Sequence, residues 1–146
     1  MATIHSGVAQ AFRRAACSEF SCFFVEEGNV IFRISAAAHE VGDLTITDDG
    51  DRLTCTIGKI DHQHFEVECP PDGDLKQGEN LAAEHVVQWV SDVIRNKVQF
   101  RIQKHRGRVI CSGAWYPEEG SAALLSVTDE WFDYRWSGLV SHSKSM

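Results

Sequence analysis

The spacing of apolar positions changes repeatedly along this chain, and each change marks an element. Residues 8–24 place Val8, Ala9, Phe12, Ala16, Phe20 and Phe23 at intervals near 3.6, which predicts an amphipathic helix closed by Gly28-Asn29. The period then falls to two, with Val30, Phe32 and Ile34 alternating with Ile31, Arg33 and Ser35. Over 43–58, Leu44 and Ile46 oppose Thr45 and Thr47, and Leu53, Cys55 and Ile57 resume the alternation beyond Asp48-Asp49-Gly50-Asp51. Asp-Gly between two alternating runs predicts a hairpin, because these residues tolerate the positive φ of a tight turn. From Asp61 to Cys69, Phe65, Val67 and Cys69 face away from His62, His64, Glu66 and Glu68, a further antiparallel strand.

Pro70-Pro71-Asp72-Gly73-Asp74 stops that run. Asn80 is the expected N-cap of a second helix, whose stripe is Leu81, Ala82, Val86, Trp89, Val90, Val93 and Ile94. Val98, Phe100 and Ile102 alternate again, His105-Arg106-Gly107 turns, and Val109 and Cys111 return. Gly113 to Gly120 reads as loop, Trp131 to Trp136 as the last strand, and 137–146 as a flexible tail. Strand runs separated by single helices indicate an α+β fold. The expectation is a single domain over 1–146, with one antiparallel sheet of five to seven strands (a meander over 30–69, then 98–112). An N-terminal helix and a helix at 80–97 would cover one face. Its core is expected to hold Phe32, Ile34, Leu44, Ile46, Leu53, Cys55, Ile57, Phe65, Val67, Val86, Val90, Val93, Phe100 and Ile102.

Composition narrows the function classes. With 146 residues, 43% apolar and 24% charged, the chain suits one globular domain that folds without a metal or disulfide staple. No apolar run is long enough to span a bilayer. The five cysteines are odd in number and form no CxxC pair, and the arginines near the N-terminus follow a weak apolar stretch, the reverse of a secretory signal. A reducing cytoplasm is the expected compartment, with Cys55, Cys69 and Cys111 as buried thiols. The net charge of −7 makes nucleic acid a poor partner. Residues 40–79 carry 11 acids against three bases, whereas 95–108 carry six bases and no acid. The acids Asp43, Asp48, Asp49, Asp51, Asp61, Glu66, Glu68, Asp72 and Asp74 therefore form the expected docking surface for a basic protein partner.

Motifs add little. His62, His64, Glu66 and Glu68 share one strand face, and His62, His64 and Glu68 resemble the first half of a cupin metal motif over about a dozen residues. No second histidine motif follows, so no metal or cofactor is expected. GxSxG, HExxH, GxGxxG and the phosphate loop are all missing, and no catalytic residue is assigned. Trp131, Tyr134 and Trp136 crowd one short strand and suit a protein interface, including a homodimer. In size, charge and architecture the chain resembles bacterial immunity proteins and antitoxins. That resemblance implies a non-enzymatic protein that docks on and masks a basic toxin domain. The alternative is an enzyme-like small-molecule or metal-binding domain working through His62, His64 and Glu68.

Overall fold

The structure is a computed structural model that describes residues 5–120 and 122–145. It is α+β, with two helices and strands divided between two antiparallel sheets rather than gathered in one. Helix α1 (Gly7–Phe20) passes through a short 3-10 turn into β1 (Phe24–Glu27), β2 (Val30–Ile34), β3 (Leu44–Asp48), β4 (Arg52–Ile57) and β5 (Asp61–Glu66). These strands lie in sequence order in the first sheet. Helix α2 (Leu75–Ile94) leads to β6 (Gln99–His105), β7 (Arg108–Trp115), β8 (Glu130–Arg135) and β9 (Gly138–Lys144), ordered β7-β6-β8-β9 in the second sheet. The chain packs as two compact units. The first comprises the chain through Ser35, Asp43–Thr56 and His62–Val90; the second comprises Ala36–Gly42, Ile57–Asp61 and the chain from Ser91 onward. No helix among the described residues is long and apolar enough to cross a membrane.

In the first unit, α1 starts where Ser6 caps it, its hydroxyl accepting from Ala9 N–H. The helix ends at Phe20, so Gly28-Asn29 does not close it but forms the two-residue turn between β1 and β2. Gly28 supplies the positive φ (68°) that this turn needs at its first position. Phe32 is fully buried and collects the rings of Phe12, Phe20, Phe23 and Phe24, with centroids 5.3–6.2 Å away. A register shift against β3 between Val30 and Phe32 breaks the strict alternation, and adjacent Ile31 and Phe32 are both buried. The hairpin at Asp49-Gly50 forms as its residues predict, with Gly50 at φ 93°. Phe65 and Val67 are half-buried, not core, because β5 is an edge strand covered on one flank by β4. Cys69 lies beyond that strand and is exposed, against expectation; Cys55 is buried as expected.

Helix α2 begins at Leu75, well before Asn80, which sits inside it. Its start is a reciprocal capping box: Gln77 N–H donates to Asp74 Oδ1 (2.9 Å), and Asp74 N–H donates to Gln77 Oε1 (3.0 Å). The helix ends at Ile94, and Asn96 turns left-handed (φ 62°) just after it.

The second unit is built on the β6–β9 sheet. Residues 113–115 belong to β7, not to a loop, and the expected flexible tail carries β9, which pairs along β8; only its last residue lies outside the described residues. Tyr134 and Trp136 are buried at 7% and 6% exposure, and of the three rings expected at an aromatic interface only Trp131 stays half-exposed. Ile102 is half-buried, while Gln103 on the opposite face is buried. The Gln103 carboxamide oxygen accepts from Leu125 N–H and the Thr128 hydroxyl (both 2.8 Å), tying down the loop before β8.

Beside it, Arg101 Nε and Nη2 donate to the two oxygens of Asp133 at 2.6 and 3.0 Å. Arg101 Nη1 donates to the Ala122 carbonyl, and the guanidinium lies 4.9 Å from the Trp115 ring. Both partners are largely buried, and the paired carboxylate raises the Arg101 pKa against the cost of burial. Arg101→Met strands the Asp133 carboxylate inside the unit, and chemical denaturation is expected to register a loss of about 3–5 kcal/mol.

Candidate functional site

The nine acids singled out in the sequence divide sharply in the structure. Four are engaged by their own chain. Asp43 pairs with Arg33 (3.4 Å), and Asp49 accepts from the Thr54 hydroxyl and approaches Arg52. Asp74 caps α2. Asp48 accepts from Ser6 N–H (3.0 Å), the Ser6 hydroxyl (2.7 Å) and Gly50 N–H (3.0 Å), clasping the start of α1 to the hairpin. Burial opposes charge on Asp48, but these three donors outweigh it and hold its pKa below the ordinary carboxylate value. Asp61, at the head of β5, falls in the second unit.

The remaining four, Asp51, Glu66, Glu68 and Asp72, are exposed and line hollows around the first half of α2. A groove of about 360 Å³ runs between the β5 end and the helix. His64, Glu66 and Glu68 stand on one side of it, Leu81 and His85 on the other, with Phe65 and Ala82 also in its lining. A second hollow shares Leu81 and adds Asp72 and Glu84; a third shares Glu66 and adds Asp51, Leu75 and Glu79. Leu75 and Leu81 are 60% and 47% exposed, large apolar side chains in hollows that carboxylates line, with Arg52 also lining the one that holds Leu75. Alternation along β5 explains its contribution, since His64 and Glu66 fall on the solvent parity. A helix start at Asn80, as the sequence suggests, leaves Leu75 and Glu79 off α2. The Asp74-x-x-Gln77 pair is the signal that would have placed Leu75 and Glu79 on the helix.

Gly78 makes this arrangement sterically attainable. A Cβ there would stand 2.3 Å from the Glu68 carbonyl oxygen and 3.3 Å from Val67 Cγ1, so the helix backbone lies directly against the chain leaving β5.

His62 and His64 do share a face, with ring centroids 5.1 Å apart, but edge to face and exposed. His64 Nδ1 lies 2.9 Å from the Thr54 hydroxyl. No group of three metal-ligating side chains assembles among the described residues, so the cupin-like His62, His64 and Glu68 spacing is not matched by a ligand set in space. The site offers charge, two imidazoles and apolar anchors, the chemistry of recognition.

No family model, curated protein or solved structure matches the chain. Function therefore rests on the geometry.

Two outcomes follow for this region. Ala is a better helix former than Gly by about 0.8–1.0 kcal/mol, yet Gly78→Ala is expected to lower stability, because the obstructing atom belongs to the backbone. A rise in melting temperature would remove the close approach from the account. Asp48 has a depressed pKa in the folded chain, so its contribution is present above the unfolded carboxylate pKa and is lost as pH falls through the folded value. Asp48→Asn should thus be less stable near neutrality and lose less on acidification between about pH 5 and pH 2 than the native chain.

Proposed function

We propose that this chain is a non-enzymatic binding protein that docks on a basic protein and masks it, using the acidic surface around the first half of α2. The observation that carries this reading is the placement of Leu75 and Leu81, exposed in hollows whose linings hold Asp51, Glu66, Glu68, Asp72, Glu79 and Glu84 with Arg52 as their one Lys or Arg. An apolar centre with a charged rim is the anatomy of a protein interface, in which the rim speeds encounter and selects the partner while the centre supplies affinity. A net charge of −7 adds long-range attraction for a cationic partner. This is the way of working of an immunity protein or antitoxin, and five unbridged cysteines suit the reducing cytoplasm in which such a protein acts.

In that reading Asp43, Asp48, Asp49 and Asp74 hold the surface in shape, and Glu66, Glu68 and Leu81 meet the partner. The adjacent gene is the source of the test partner, since an immunity gene sits beside its toxin gene. Co-expression should yield a complex with a basic product. Glu66→Gln with Glu68→Gln should weaken it by about 2–5 kcal/mol where the acids are desolvated, and flatten its salt dependence. Leu81→Ala should speed dissociation with little change in association. Equal binding by all variants, or an adjacent product that is acidic and does not bind, would sink the proposal.

A further inference from the structure

The turn between β6 and β7 is built unlike the other turns of the chain. Arg106 and Gly107 both have positive φ, 50° and 79°, and a long L side chain at the first of these positions is uncommon. The conformation is held by Arg106 N–H donating to Asp129 Oδ2 (3.0 Å). Arg106 and Arg108 are exposed on this tip, and neither guanidinium has an acidic partner among the described residues. Behind them, Val109 and Ile110 are 59% and 38% exposed. The register shift in β7 between the partners of Gln103 and Lys104 leaves Ile110 as the extra, bulged residue, which re-aims side chains along this edge strand.

This tip is cationic beside an apolar pair; the α2 hollows are anionic beside Leu75 and Leu81. The two surfaces are complementary in charge and in apolar content, and one chain carries both. We infer that the β6–β7 tip of one copy docks in the acidic hollows of a second copy, occupying the partner-binding face head to tail. The inference rests on the docking reading of that face and names an occupant for it. A second copy fits the tip better than an anionic polymer, because its hollows join carboxylates to the exposed Leu75 and Leu81, a match for Val109 and Ile110 beside the arginines. The groove of about 360 Å³ between β5 and α2 has room for an arginine side chain, with Glu66 and Glu68 as acceptors for its planar fork. Such a contact is heterologous, so it propagates unless its rotation closes a ring.

Sedimentation velocity across a concentration series tests this on the intact chain. Association is expected at about 0.1 M salt, where a Debye length of about 10 Å screens repulsion between whole chains more than it screens pairs in contact, and should weaken at about 1 M, where the length is about 3 Å. Arg106→Glu with Arg108→Glu, and separately Glu66→Lys with Glu68→Lys, should each weaken self-association at least about tenfold. An equimolar mixture of the two variants should associate again, because the reversed surfaces match across copies; misfolded variants would not recover in this way. A native chain that stays monomeric at the highest concentration and lowest salt overturns the inference. So does self-association that persists in the tip variant. If the tip variant ceases to self-associate and the face variant does not, the tip has another receptor and the self-docking fails, while the acidic-face reading is still judged by the adjacent gene product. If the native chain is monomeric yet binds the adjacent gene product through Glu66 and Glu68, only the self-docking is lost.

Discussion

The close approach of Gly78 to the Glu68 carbonyl is the constraint on which the candidate surface depends. A helix with a side chain at that position would have to stand off from the end of β5, and the carboxylates on the strand would then be separated from Leu81 and His85. Backbone against backbone, the two segments form one groove. The capping box at Asp74 and Gln77 sets where the helix starts, and so which turn presents Gly78 to the strand. A residue with poor helix propensity is retained inside a 20-residue helix because the approach it permits offsets that loss.

Acidic residues have two different roles in this chain. Asp48 and Asp133 are tied into hydrogen-bonded networks, where loss of charge leaves donors unsatisfied or a cation stranded. Glu68, Asp51 and Asp72 remain exposed, and Glu66, also exposed, keeps only a solvated contact with Arg52 at 3.7 Å, of the kind that contributes little. Their mutual repulsion disfavours the compact chain, and in the proposed function that repulsion is relieved when a cationic surface docks. The same relief drives head-to-tail self-docking, so partner and second copy compete for one face. Binding of the true partner would then include displacement of the β6–β7 tip.

The arginines show how sequence neighbours can be separated by the fold. Arg101 and Arg106 belong to one basic run, yet alternation along β6 turns Arg101 onto the face covered by the 122–128 loop, where it pairs with Asp133. Arg106 lies past the strand, in the turn, where no packed face exists to receive it.

Local order was readable from the residues because it depends on neighbours in the chain. The period-two runs of β3 to β5, the Asp49-Gly50 hairpin and the buried stripe of Val86, Val90 and Val93 all follow from spacing and from the φ that glycine permits. The solvent-facing parity of His64 and Glu66 was equally plain. What lay beyond reach depends on partners distant in sequence. Phe65 in β5 and Val67 just beyond it are only half-buried, whereas Tyr134 and Trp136 are buried. Charge count along 40–79 could not separate Asp48, which meets Ser6 across 42 positions, from Glu68, which stays exposed. Sequence alone determined which residues alternate, turn and carry charge. Only the tertiary structure decided which charges are satisfied and which stay free to bind, because a carboxylate's partners are set by the approach of distant backbone and not by its neighbours in the chain.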